Sequence, residues 1–231
     1  MRHFATTIVW GAVILLGSYL TAYPAQNSDK YYMVVFASQG EPVIPRTAHT
    51  FATFVRVSER PKAGDGAGSP VTAHTISWLP ASLEIVPARP APEKGKNLDL
   101  PATLKWAKSG KARIVAWGPY EIKKELFDKA LQQIDRLNSG RIAYKALDLR
   151  YRGGGASNCI HAVSDVDTEG GLLQTGTAFG EAASERVVRH LRRWIADAPK
   201  THAKIAAELK LAEFEVRFLE LAEPGPATGT P

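Results

Sequence analysis

The sequence predicts an α+β domain in which an antiparallel sheet carries helices packed on it. Residues 31–38, 50–58 and 71–78 are rich in β-branched and aromatic side chains, which is typical of strands. Residues 122–137 and 181–197 instead repeat apolar side chains at helical spacing. The chain has 231 residues, of which 45% are hydrophobic, so it is long enough to bury the core of one ordinary domain.

Residues 1–25 are interpreted as a signal peptide or a membrane anchor. No Asp, Glu, Lys or Arg occurs between Arg2 and Asp29, and residues 4–22 are almost wholly apolar. This run has about the 20 residues that cross a bilayer core, and a positive start before an apolar run is also typical of a secretory signal. A buried core helix is the third interpretation. We expect an exported protein, periplasmic or extracellular, whose domain spans residues 26–222 and which associates with a membrane if the segment is retained.

The predicted domain begins with three strands. The first, residues 31–38, is followed by a loop at residues 39–46 that contains one Gly and two Pro. The second, residues 50–58, alternates its apolar side chains, and the Gly-rich residues 61–70 connect it to the third. The second and third strands are therefore expected to form a hairpin with long arms.

Helices alternate with strands in the rest of the predicted domain. Residues 83–86 are expected to form a short strand, and residues 87–101, rich in Pro, Lys and Glu, an exposed excursion. Pro119 suits the first position of a helix that ends near Gly140. The remaining predicted elements are a strand at 142–151, helices at 181–197 and 204–211, a strand at 213–221 and a disordered tail at 223–231.

Composition limits the classes of function. The net charge of +6 is mild, and the 29 Lys and Arg residues are scattered along the chain. A nucleic-acid partner is therefore not predicted, and neither is a cofactor or a resident metal. The single Cys, residue 159, cannot form an internal disulfide. In an exported protein an odd Cys indicates a reactive thiol or an intermolecular disulfide, and the alternative is a small buried apolar side chain.

The position of Cys159 in the sequence is one where a thiol can be activated as a nucleophile. It follows the glycine-rich residues 153–155 and precedes a short apolar run, so we predict that it begins a helix. An unperturbed thiol has a pKa of about 8.5 and is only a few per cent thiolate at neutral pH. The helix N-terminus is expected to lower that pKa, and a neighbouring imidazole is expected to take the proton.

Four of the six histidines are poor candidates for that imidazole. His3 lies in the export segment, and His190 and His202 lie on or beyond the C-terminal helix, where surface positions are expected. His161 comes two residues after Cys159 and points to a different side of any helix that starts there.

His49 and His74 remain, and both open a His-Thr pair before a strand-like run. A His held at a strand edge can act as the general base for a thiol on a neighbouring helix. Each His could instead simply occupy a strand end. A metal site built from His49, His74 and His161 is a further alternative, although these residues lack the spacing of a familiar zinc motif.

The order of these residues resembles that of the circularly permuted papain-like cysteine hydrolases. In that family a His on one strand is followed by a polar residue on the next strand and by a Cys that comes last. The lecithin retinol acyltransferase group has a similar Asn-Cys-Glu-His motif. Here the matching residues are Asn158, Cys159 and His161, with Ile160 in place of the acidic residue.

The resemblance, which covers residues 31–78 and 157–163, implies acyl transfer through a thioester. Cys159 would attack an amide or ester carbonyl, His49 would shuttle the proton, and His74 would orient His49. Backbone amides near Cys159 would hold the oxyanion. Members of the family act on peptide, cell-wall or lipid acyl bonds. A non-catalytic exported domain with the same fold is the alternative from a different class of function.

Overall fold

The computed structural model describes residues 29–58, 71–148, 155–197 and 200–221, and it confirms an α+β fold. The predicted signal or anchor segment, the connection at residues 61–70 and the predicted tail lie outside the described residues. Within the described ranges, no helix combines the length and apolar character that a membrane span needs.

Nine strands and five α-helices follow one another along the described chain. The strands are β1 (Lys30–Gln39), β2 (Ala48–Val57), β3 (Val71–Ile76), β4 (Trp78–Pro80), β5 (Glu93–Asn97), β6 (Arg113–Glu121), β7 (Ala143–Tyr144), β8 (Ala156–Ser157) and β9 (Arg217–Phe218). The helices are α1 (Leu100–Ser109), α2 (Lys124–Asn138), α3 (Cys159–Ser164), α4 (Gly180–Leu191) and α5 (Ala203–Glu208). Short 3-10 helices cover Pro45–Thr47, Arg192–Trp194 and Leu211–Phe214.

The main sheet has the strand order β3-β2-β1-β6-β9. The first four of these strands pair antiparallel, whereas β9 is parallel to β6, so the sheet is mixed rather than wholly antiparallel. Strand β1 lies in the middle, and its side chains from Tyr31 to Ser38 are all buried. A strand buried on both faces has a continuous apolar run, which explains why this segment lacks polar alternation.

Helices cover both faces of the main sheet. On one face, Met33 and Phe54 belong to the core cluster against which α2, α3 and α4 pack. On the other face, Phe36 and Phe51 lie in a cluster with Leu104 of α1. Because successive side chains of a strand point to opposite faces, the residues at the start of β2 reach both helical layers.

A smaller sheet with the order β4-β5-β7-β8 lies beside the main one. Strand β5 pairs antiparallel with both β4 and β7, and β7 pairs parallel with β8. Strand β8 ends at Ser157 and α3 begins at Cys159. The last strand of the small sheet therefore leads directly into the helix that begins with Cys159, the candidate nucleophile.

The predicted helix start at Pro119 is wrong. Pro119 lies in β6, and α2 begins only at Lys124. The reason is that Tyr120 pairs with Met33 of the central strand, so cross-strand pairing outweighs the local preference of Pro for a helix start.

Three other predictions also need correction. Residues 83–86 form a turn and irregular structure rather than a strand. Residues 87–101 are not a simple excursion, since they contain β5 and the first residues of α1. Of the predicted strand at 142–151, only Ala143–Tyr144 pairs as a strand within the described residues.

Candidate active site

Cys159 is the first residue of α3, as the sequence predicts. Asn158 is the N-cap, and its side-chain oxygen accepts a hydrogen bond from the backbone N–H of His161 at 2.8 Å. An Asn at this position satisfies one of the N–H groups that the first helical turn leaves unpaired. The side chain of Cys159 is thus placed at a well-defined helix start.

Asp148 fixes this helix start from outside the helix. Its carboxylate accepts hydrogen bonds from the backbone N–H of Asn158 at 2.9 Å and from the Asn158 side chain at 3.1 Å. The same carboxylate pairs with Nδ1 of His161 at 2.7 Å. Asp148 and His161 are 1% and 2% exposed, so these charge-assisted bonds are shielded from water.

The thiol of Cys159 is buried, with 7% of the residue exposed. Burial raises the pKa of the thiol to about 11, although the nearby backbone amide of Thr50 acts in the opposite direction. The negative charge of Asp148 adds to the rise, whereas the backbone amides of Cys159 and Ile160 oppose it. The amides at the start of the helix thus lower this pKa as expected, but desolvation outweighs them and the net shift is upward.

His49 is the second residue of β2, and its ring is 1% exposed. Nε2 lies 2.9 Å from Oγ of Ser77. The ring stacks on Phe51 and meets Trp106 edge to face, with centroid distances of 5.5 and 5.3 Å. Burial lowers the pKa of His49 to about 3, so the imidazole is neutral at neutral pH.

The second nitrogen of His49 is left without a partner. Nδ1 is buried and makes no hydrogen bond to any described residue, so it is not hydrogen-bonded to the Cys159 thiol. When Nε2–H donates to Ser77, Nδ1 carries the lone pair of the neutral ring. A buried unpaired acceptor of this kind is costly, and it is the atom that a general base needs.

His49 and Cys159 reach the same pocket from different layers of the protein. The ring of His49 packs beside Phe51 in the layer of α1, whereas Cys159 belongs to the core cluster on the opposite face. Both residues nevertheless line one pocket of about 390 Å³ at the start of β2, and Thr50, which follows His49 on that strand, lines it too.

The walls of this pocket are neutral. None of its described lining residues is Asp, Glu, Lys or Arg. Leu147, which is 60% exposed, contributes an apolar side chain to the lining. The other apolar or aromatic side chains in the lining are Pro45, Ala48, Ile85, Pro87, Tyr144, Ala146, Ile160, Ala178 and Phe179.

His74 does not take the orienting position that the sequence predicts. It lies opposite Phe54 in the β2–β3 pair, and its ring meets Phe127 of α2 at 5.8 Å. Burial and then the charge of Arg56 lower its pKa. The side chain that contacts the His49 ring is Ser77, which directly follows β3, so Ser77 replaces His74 in this position.

The histidines also do not form the metal site considered above. Among the described residues, the group of metal-ligating side chains that converges is Glu121, Asp197 and His202, which excludes His49, His74 and His161. His202 already pairs with Asp197 at 2.7 Å. A larger pocket of about 670 Å³ is lined by residues that include Tyr120, Thr201 and Ala203, and neither His49 nor Cys159 lines it.

Sequence reasoning missed Ser77, Asp148 and Tyr144. The signal for Ser77 was its place at the end of a predicted strand, but choosing it over His74 requires the strand register. Asp148 and Tyr144 precede the glycine-rich residues 153–155 in the sequence, and the β7–β8 pairing is what brings that part of the chain beside Cys159.

Comparisons with protein-family models, with curated proteins and with solved structures found no match to this chain. The functional assignment therefore depends on the geometry of the pocket and its residues.

Proposed function

We propose that the protein is an exported cysteine hydrolase or acyltransferase that acts on an amide or ester bond through a thioester. Cys159 is the nucleophile, His49 the general base and Ser77 the residue that orients the imidazole. The observation that carries the proposal is that Cys159 and His49 line one neutral pocket, with the base nitrogen Nδ1 buried and unpaired. The chain order of base, polar residue and nucleophile is that of a permuted papain-like fold.

The proposed reaction has two steps. Sγ of Cys159 bonds to the carbonyl carbon while its proton passes to Nδ1 of His49, and the carbonyl π electrons move to the oxygen. The oxyanion then collapses, the bond to the leaving group breaks, and His49 returns the proton to that group. Water or a second acceptor cleaves the thioester by the same sequence.

The resting state is a neutral thiol and a neutral imidazole, because the pKa of Cys159 is raised and the pKa of His49 is lowered. The proton therefore leaves the sulfur as the bond to carbon forms, and not before the substrate binds. Since Nδ1 and Sγ are not hydrogen-bonded, the step also requires the two atoms to approach each other when the pocket is filled.

The substrates of this reaction are peptide, cell-wall or lipid acyl compounds. The neutral and largely apolar pocket favours an uncharged acyl group, because an ion entering it would lose hydration without gaining a counter-charge. This preference supports a neutral acyl chain or an apolar residue next to the reacting carbonyl.

The test uses full-length protein and p-nitrophenyl butyrate, a neutral ester with an apolar acyl group. We expect the wild-type protein to release p-nitrophenol and Cys159→Ala to fall to the background rate. Cys159→Ser is the matched control for folding, because it replaces only sulfur by oxygen, and its thermal unfolding midpoint should stay near that of the wild type. Equal hydrolysis by Cys159→Ala and wild type would contradict the proposal.

A non-catalytic exported domain is the second candidate. The observation that favours it is the thiol itself, which is buried and has a pKa raised to about 11. In that case the pocket binds an apolar group without turning it over. Binding of butyrate esters without release of p-nitrophenol would distinguish this candidate from the enzyme.

A further inference from the structure

Tyr144 is a buried residue of the same core cluster as the candidate nucleophile Cys159. It is the second residue of β7 and pairs with Ser157, which precedes Cys159 by two residues. Tyr144 and Cys159 both line the pocket of about 390 Å³. The parallel β7–β8 pair thus brings the phenol ring to the wall on which the thiol lies.

The hydroxyl of Tyr144 is a polar group open to the pocket. Tyr144 as a residue is 2% exposed, and no hydrogen bond joins its hydroxyl to a described residue. The oxygen is not among the fully buried unpaired atoms of the described residues, so it is accessible from the pocket and available to a ligand. Two other polar side chains of the pocket are engaged elsewhere: Thr50 bonds Ser184, and the Asn158 amide bonds Asp148. Thr175 and Thr177 also line the pocket, but of these polar residues Tyr144 is the one paired across β7–β8 with the strand that leads to Cys159.

We propose that Tyr144 is a catalytic residue whose hydroxyl donates a hydrogen bond to the carbonyl oxygen of the acyl group as that oxygen becomes an oxyanion. The proposal rests on the acyl-transfer function proposed above and adds a side-chain donor to the backbone amides that the resemblance implies for the oxyanion. The proton stays on the tyrosine oxygen throughout, so the step adds no acid or base to the reaction.

The electrostatics of the pocket support this role. With no Lys or Arg among its described lining residues, the pocket offers no cation for the oxyanion, and a hydrogen-bond donor is the remaining means of stabilising it. Burial raises the pKa of Tyr144 well above its usual value, and the charges of Cys159, Glu93 and Asp148 add to the rise. The hydroxyl therefore stays protonated, and remains a donor, over the whole working range of pH.

The test compares two reactions of the same thiol. Acylation by p-nitrophenyl butyrate passes through an oxyanion, whereas alkylation by iodoacetamide does not. We expect Tyr144→Phe to slow the acylation about 100-fold, which is the size of effect measured for the loss of one oxyanion donor. The same variant should change the rate of alkylation by less than about twofold, because the thiol and its surroundings are preserved.

Tyr31→Phe is the matched control. Tyr31 is a buried tyrosine of β1 that packs on Phe127 and does not line the pocket, so its variant should leave both rates unchanged. Ester turnover by Tyr144→Phe within about twofold of the wild type, or an equal fall of both rates, would overturn the inference. The proposed function fails separately if Cys159→Ala still turns over the ester.

Discussion

Thr50 follows His49 in β2, and its backbone amide hydrogen-bonds to the thiol of Cys159, so it connects the two residues on which the proposed chemistry depends. Its neighbour His49 carries the unpaired nitrogen, and the amide itself favours the thiolate form of Cys159. Desolvation is the larger effect, so both partners are neutral at rest. At the scale of single residues, the site therefore contains a neutral thiol and a neutral imidazole, and not a preformed thiolate–imidazolium ion pair.

The first prediction concerns the pH dependence of the free thiol. Only the thiolate is alkylated, and the pKa of Cys159 is raised to about 11, so the rate of alkylation by iodoacetamide should still be rising above pH 9. Between pH 7 and pH 9 we expect an increase of about 100-fold, or tenfold per pH unit. His49→Gln should leave this profile unchanged. A plateau near neutral pH that His49→Gln abolishes would show an ion pair instead.

The second prediction distinguishes Ser77 from His74. Ser77→Ala removes the hydrogen bond at 2.9 Å that fixes the His49 ring, and a net loss of about 1 kcal/mol corresponds to a five- to tenfold slower ester hydrolysis. His74→Gln is the matched comparison, because His74 contacts Phe127 and lies outside the pocket. Its rate should stay within about twofold of the wild type. The reverse ranking of the two variants would restore His74 as the orienting residue.

At the scale of elements, α3 is a helix of six residues whose position depends on contacts outside it. Asp148 holds both ends of the cap by bonding Asn158 and His161. Gln133 of α2 adds a hydrogen bond to the carbonyl of Ala162 at 3.0 Å. A helix this short has little intrinsic stability, so these tertiary contacts are what keep Cys159 in place.

The third prediction tests this support. Asp148→Asn removes the buried charge that accepts three hydrogen-bonding groups, and we expect the free energy of unfolding in urea to fall by about 2–3 kcal/mol. Asp135→Asn on the exposed side of α2 is the control and should change it by less than about 0.5 kcal/mol. An equal effect of the two substitutions would mean that the cap is not held by Asp148.

The elements that could be predicted from the sequence are those whose local pattern agrees with their tertiary environment. Strands β1, β2 and β3 have strand-like composition and lie in a sheet, and Cys159, which follows the glycine-rich residues 153–155 in the sequence, begins a helix. Strand β6 was missed because Gly118 and Pro119 interrupt it, and its pairing with β1 is a long-range contact. Ser77 was missed for a related reason, since register and not composition decides which side chain faces His49.

At the scale of the whole molecule, the fold buries a neutral histidine between the main sheet and α1. Folding shifts the pKa of His49 from 6.5 to about 3, so the unfolded chain binds a proton below pH 6.5 that the native protein excludes. The free energy of unfolding therefore has its full value, as far as His49 is concerned, above pH 6.5 and decreases as the pH falls towards 3.

The fourth prediction follows from that linkage. Between pH 7 and pH 4.5 the wild-type protein should lose about 2–3 kcal/mol of its unfolding free energy through His49 alone. His49→Gln cannot titrate, so the difference in unfolding free energy between the two proteins should shift by that amount in favour of the variant. Urea unfolding at the two pH values measures it. A difference that is independent of pH would show that His49 is accessible to protons in the folded state.

The central claim is that Cys159 forms a thioester with an acyl group bound in the neutral pocket. Full-length protein is mixed with p-nitrophenyl butyrate, quenched in acid within seconds, and analysed by intact-protein and peptide mass spectrometry. The proposed chemistry predicts one added butyryl group on the peptide that contains Cys159, its loss at longer times, and its absence from Cys159→Ala. A protein that releases p-nitrophenol with no adduct on Cys159, or that carries the adduct on another residue, would contradict the claim.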